Sequence, residues 1–71
     1  MLNEQEILEI RDLISMYIAN EYVNNNGKHS YKSYKACGIV DFIYYILNPE
    51  DTCRGQITRY ILQEARKLSE Q

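Results

Sequence analysis

The sequence has few of the residues from which small proteins build catalytic, metal-binding or cross-linked sites. Its 71 residues include one histidine, two cysteines, three glycines and one proline. The cysteines, Cys37 and Cys53, lack the close spacing of a zinc or redox motif. His29, the single imidazole, gives little basis for a nucleophile–base pair. These shortages predict a protein that is not an enzyme, holds no metal or cofactor, and keeps both thiols reduced.

Long hydrophobic runs are also missing. No apolar run approaches the ~20 residues of a membrane-spanning helix, because Asp41 interrupts the best candidate and Asn48-Pro49 ends it. The first residues are acidic and polar, whereas a secretory signal is basic and then apolar, so we expect a mature start and a cytoplasmic location. The net charge of −2 gives no overall attraction to phosphate backbones. Membrane binding is therefore not expected, and nucleic acid is the less favoured partner.

The length of the chain predicts one helical domain over residues 1–71 that needs extra stabilisation. A single core of this size rarely supplies more than ~3–5 kcal/mol. Disulfides and metals are poorly supported by the composition, so we expect self-association, with a homodimer as the commonest arrangement.

The first helix is predicted over residues 4–23. Asn3 and Glu6 have the spacing of a capping box, and the acidic first turns suit the positive end of the helix dipole. Apolar residues then recur every three or four positions: Ile7, Ile10, Leu13, Ile14, Tyr17 and Ile18. Leu8, Met16 and Tyr22 fall off this stripe and are our candidate dimer surface.

The second helix is predicted over residues 33–47, with Ser30 or Ser33 as its cap. One sector carries Ala36, Ile39, Val40, Ile43, Ile46 and Leu47, and the opposite stripe carries Tyr34, Gly38, Asp41 and Tyr45. Many of these residues also favour strands. We prefer a helix because of its length and because the rest of the chain offers no partner strand.

The third helix is predicted over residues 50–68. Asn48-Pro49 followed by two acidic residues is a strong helix-start signal, although a regular helix beginning near Gly55 is equally compatible. Ile57, Ile61, Ala65 and Leu68 form the expected inward face. The sequence thus predicts an all-α fold, a small three-helix bundle in which helix 2 is central because it is apolar on more than one side.

A protein-binding function is our first hypothesis. The acidic balance, the seven tyrosines and the surplus apolar residues suit a stoichiometric binder, for example a phage or mobile-element protein that inhibits or redirects a host protein. Tyr34, Asp41 and Tyr45 are the candidate partner-binding residues. The alternative for Asp41 is a structural role at the helix edge, bonded to a tyrosine or paired with Arg54 or Arg59.

Two other functions remain open. In one, helices 2 and 3 form a helix-turn-helix DNA-binding regulator. Its base- and phosphate-reading face would be Gln56, Arg59, Gln63 and Arg66. In the other, the protein is a purely structural homodimer.

Overall fold

The computed structural model describes residues 1–70 and consists of three helices: α1, Glu4–Asn24; α2, Tyr31–Leu47; and α3, Gln56–Ser69. The predicted all-α three-helix arrangement is confirmed. Helix α2 packs against both other helices, whereas within residues 1–70 no Cα atom of α1 lies within 8 Å of one in α3. The described part of the chain contains no helix long and apolar enough to cross a membrane.

The start of α1 is fixed by the predicted capping box. The Glu6 backbone N–H donates to the Asn3 side-chain oxygen at 2.9 Å, and the Glu6 carboxylate accepts from the Asn3 N–H at 3.4 Å. At the other end, Asn26 and Gly27 adopt positive φ angles of 57° and 74°. The Gly27 N–H donates to the Tyr22 carbonyl at 2.9 Å, so these left-handed residues end the helix.

Ser30 caps α2, which begins two residues earlier than predicted. Its hydroxyl oxygen accepts from the Ser33 N–H at 3.1 Å and its hydroxyl group donates to the Glu21 carboxylate at 3.3 Å. The fully buried Ser33 hydroxyl donates back to the Ser30 carbonyl at 2.9 Å. This network joins the C-terminal end of α1 to the first turn of α2.

Helix α3 begins at Gln56, so the predicted start at residue 50 is wrong and the alternative start near Gly55 is correct. The Asp51 carboxylate accepts from the N–H groups of Cys53 and Arg54 at 2.8 and 3.3 Å, which holds a local turn instead of a helical one. Gly55 then has φ = 73°, a left-handed conformation that breaks the helical path.

The predicted inward face of α3 is also wrong. Ile57 and Ile61 are 54% and 57% exposed, and Ala65 and Leu68 are exposed as well. Thr58 is the side chain of α3 that the fold buries, and its N–H and hydroxyl donate to Asp41 of α2. The strongly apolar stripe of α3 therefore lies beside the α2 contact and remains open.

The core is small. Among residues 1–70, the buried apolar side chains are Ala36 and Ile43, both on the side of α2 that faces α1. The radius of gyration is 14.1 Å, whereas a compact 71-residue domain is expected near 11 Å. Because α1 and α3 both pack on α2 but not on each other, the core is small and the shape is extended.

Candidate functional site

An exposed apolar stripe runs along α2. Ile39, Phe42 and Ile46 are 50%, 51% and 45% exposed, and Lys32 and Lys35 continue the same line towards the N-terminal end of the helix. Their alternating spacing of three and four residues is that of a helix–helix packing seam. The stripe thus has the residue spacing of a helix–helix contact, but it faces solvent.

Helix α1 forms one wall beside this stripe. A recess of about 390 Å³ lies between the two helices. Its lining is Leu13, Ile14 and Tyr17 from α1 and Lys32, Lys35, Ala36 and Ile39 from α2. The recess is apolar apart from the two lysines at its rim.

Helix α3 forms the opposite wall. A second recess of about 500 Å³ lies between α2 and α3. It is lined by Lys35, Gly38, Ile39 and Phe42 from α2 and by Ile57, Thr58, Ile61 and Leu62 from α3. Phe42 also borders a third recess of about 190 Å³ beside Ile7 and Ile10. Because the recesses share Ile39, Phe42 and Lys35, they are parts of one continuous surface.

We call this surface the apolar face and define it by seven exposed side chains: Leu13, Tyr17, Ile39, Phe42, Ile46, Ile57 and Ile61. Its floor is α2 and its walls are α1 and α3. Small-molecule sites combine an enclosed apolar cavity with a few converging polar groups. The apolar face is instead open and broad, which suits the apolar side of a helix or a folded protein.

The predicted partner-binding residues lie on another side of α2. Asp41 is partly buried, and one of its carboxylate oxygens accepts from the Thr58 N–H at 2.7 Å and the Thr58 hydroxyl at 2.8 Å. Tyr45 packs against Gly55, with the Arg59 guanidinium 5.7 Å from its ring centroid. Tyr34 is exposed and stacks at a tilt on His29. Asp41 and Tyr45 therefore hold α3 in place, and Tyr34 alone among the three is freely presented to solvent.

Asp41 forms a structural contact at the edge of α2, as the alternative interpretation predicted, but its partner is a different residue. Its partner is a threonine backbone and hydroxyl, whereas we expected a tyrosine, Arg54 or Arg59. Thr58 is the third residue of α3, and Gly55 has no side chain with which to cap that helix. Asp41 supplies the missing cap from α2.

The three candidate dimer residues do not form one patch. Leu8 is partly buried, whereas Met16 and Tyr22 are exposed. At about 100° per residue, Met16 and Tyr22 lie roughly 120° apart around α1. Tyr22 in addition stacks on His29, with 5.1 Å between ring centroids.

The candidate DNA-reading residues share one polar stripe of α3 on the side away from its apolar stripe. The Gln56 side chain donates to the Thr52 carbonyl at 3.0 Å, and Arg59 donates to the Pro49 carbonyl. Both side chains thus hold the preceding loop. Gln63 and Arg66 are exposed.

Arginine and tyrosine side chains cluster where α1 and the loop before α3 meet α2. The guanidinium groups of Arg11 and Arg54 lie 5.7 and 4.8 Å from the Tyr44 ring centroid. A hydrogen bond to Asp12 at 2.8 Å raises the pKa of Arg11; desolvation opposes this effect, and the charge of the Asp12 carboxylate adds to it. Arg11 therefore carries a positive charge throughout the working pH range.

The single histidine contacts one serine hydroxyl and two tyrosine rings. The His29 ring nitrogen Nδ1 lies 3.2 Å from the Ser33 hydroxyl, and its ring packs between Tyr22 and Tyr34. Over residues 1–70, no group of three histidine, cysteine or carboxylate side chains is placed to hold a metal ion. Cys37 is partly buried and Cys53 is exposed, and both are free thiols.

Comparisons of the chain with protein-family models, curated proteins and solved structures find no match. The functional argument therefore depends on the geometry of this molecule alone.

Proposed function

We propose that this chain is a non-enzymatic protein-binding factor that acts by stoichiometric association, and that the apolar face is its binding surface. The observation that carries the proposal is the exposure of Ile39, Phe42 and Ile46 on the floor of the groove between α1 and α3. Large contiguous apolar patches on soluble proteins mark interaction surfaces, because leaving them in water forfeits about 25 cal/mol for each Å².

The chemistry of the face favours a protein over a nucleic acid as the partner. A phosphate backbone needs positive charge along the contact, whereas this face is apolar except for Lys32 and Lys35 at one end. Ile39, Phe42 and Ile46 recur at the three- and four-residue spacing that anchors one helix against another. A helical segment of a protein fits this surface by both shape and chemistry.

Crosslinking in living cells tests the proposal. A photoreactive phenylalanine analogue placed at position 42 is expected to give strong protein adducts, because that position is in contact with the partner. The same analogue at Ser15, which is exposed on the side of α1 opposite Leu13 and Tyr17, is the matched control. Protein adducts at position 42 no stronger than those at position 15 would refute the proposal.

DNA binding is measured in parallel. Anisotropy of labelled mixed-sequence DNA should not change with the protein at low salt. A signal that falls steeply with increasing salt would instead favour the helix-turn-helix alternative, because phosphate contacts release counterions.

A further inference from the structure

We propose that the apolar face is covered by a second copy of this chain in a two-fold symmetric, antiparallel arrangement. In this arrangement Lys32 and Lys35 of one copy meet Glu6 and Glu9 of the partner subunit. The inference rests on the proposed function for the choice of surface and adds the identity of the partner.

The single chain exposes more surface than a compact monomer of its mass, and the excess lies in the range of areas that obligate homodimers bury. Its accessible surface is 5765 Å², whereas a folded monomer of 8.4 kDa is expected to have about 4,600 Å². The excess is roughly 1,150 Å² per chain, or about 2,300 Å² for a pair. Obligate homodimers bury about 2,000 Å² or more, whereas transient complexes bury less.

The thin core requires a partner that is present whenever the chain is folded. Ala36 and Ile43 are the buried apolar side chains of residues 1–70, so most apolar side chains of the single chain stay at least partly in contact with water. A chain of this size needs additional burial or cross-links, and both cysteines are free thiols. A second copy satisfies this requirement, because it is always made together with the first.

Charges at the two ends of the face select an antiparallel pairing. One recess joins Leu13 and Tyr17 to Lys32 and Lys35, and another joins Ile7 and Ile10 to Ile46, so α1 and α2 run in opposite directions. The lysines therefore mark one end of the face. Glu6 and Glu9 lie at the other end, seven and four residues before Leu13 on the same side of α1.

A two-fold axis through the middle of the face, near Ile39 and Phe42, exchanges these two ends. Each basic end then faces an acidic end of the partner subunit, whereas a parallel pairing would bring like charges together. The apolar residues between the ends pack against their symmetry mates. Two copies of the face therefore bring opposite charges together only when they pair in the antiparallel orientation.

Sedimentation equilibrium on the full chain provides the first test. We expect twice the chain mass of 8.4 kDa at micromolar concentration. Phe42→Glu should raise the dimer dissociation constant by at least about a hundredfold, because it places two charges in the apolar centre. Ser15→Glu, a change of an exposed side chain on the opposite side of α1, should leave the constant unchanged.

Charge reversal tests the orientation. Lys35→Glu should raise the dissociation constant roughly tenfold, since it sets like charges against each other at both ends of the dimer. Adding Glu9→Lys to the same chain should restore most of the affinity, because each end of the apolar face then faces an end of opposite charge in the partner subunit. Circular dichroism of every variant checks that its helix content is kept.

The outcomes separate this inference from the proposed function. A monomeric wild-type chain whose position 42 crosslinks a different protein overturns the second copy and leaves the proposed function standing. A monomer without crosslinks at position 42 overturns both. A dimer that Phe42→Glu leaves intact overturns the choice of face, and a double charge variant no tighter than Lys35→Glu alone overturns the antiparallel order.

Discussion

A single carboxylate oxygen of Asp41 joins the middle of α2 to the first turn of α3. It accepts from both the N–H and the hydroxyl of the buried Thr58. Asp41→Ala should lower the free energy of unfolding by about 1–3 kcal/mol, because the helix loses its cap and the Thr58 hydroxyl loses its acceptor. Urea denaturation at fixed protein concentration measures the loss.

Two further variants test whether the loss of the hydrogen-bond acceptor at position 41 explains the loss of stability. Asp41→Asn keeps an oxygen at the same place and should cost clearly less than Asp41→Ala. Asp12→Ala removes an exposed carboxylate paired with Arg11 and should change the stability by less than ~0.5 kcal/mol. Equal effects of Asp41→Ala and Asp12→Ala would contradict the capping role.

Gly55 is required for two reasons that can be measured separately. Its φ of 73° is unfavourable for other residues, and an added Cβ would lie 2.9 Å from the Tyr45 Cβ and 3.0 Å from its Cα. Gly55→Ala should therefore cost about 2–4 kcal/mol. Gly27→Ala has a similar φ of 74°, but its nearest atom is 3.9 Å away, so it should cost only about 1 kcal/mol.

The comparison of these two glycine variants is made by thermal and urea denaturation under the same conditions. If Gly27→Ala were as destabilising as Gly55→Ala, the close approach of Tyr45 to Gly55 would not limit stability. The chain would then have to shift at the start of α3 without a large cost.

Local signals predicted the helix ends only where no distant residue intervenes. The Asn3–Glu6 capping box and the Ser30 cap involve neighbours in sequence, and both are present as predicted. The Asn48-Pro49 signal failed because the Asp51 carboxylate holds a turn with the N–H groups of Cys53 and Arg54, and because Gly55 packs on Tyr45. The first contact is local, whereas the second is set by how α3 docks on α2. The partner of Asp41 escaped prediction for the same reason, since periodicity does not give the register between two helices.

Helix α3 should be the least protected of the three helices. It contacts α2 but not α1 within residues 1–70, and Thr58 is its buried side chain. Amide hydrogen exchange by NMR should therefore show faster exchange in the second half of α3 than at the centre of α2. Uniform protection of both helices at low protein concentration would contradict this order.

The apolar face could be anticipated only in part from the sequence. The surplus of apolar residues on α1 predicted a second surface, but at Leu8, Met16 and Tyr22, which are not among the residues of the apolar face. Self-association was expected from the length of the chain. The location of the apolar face could not be predicted from the sequence. If all three helices are assumed to pack against one another, the stripe of Ile57 and Ile61 is predicted to face inward. This bundle leaves α1 and α3 apart, so the stripe borders an open groove instead.

The proposed coverage of the apolar face by a second copy would make the stability of the whole molecule depend on its concentration. Unfolding then separates two chains, so mass action favours the folded dimer as the concentration rises. With typical unfolding entropies, each tenfold increase should raise the melting temperature by roughly 4–5 °C. Calorimetry over about two decades of concentration measures this slope. Phe42→Glu should abolish this slope, whereas Ser15→Glu should keep it. A wild-type melting temperature independent of concentration would mean that the single chain is stable with its apolar face open to water.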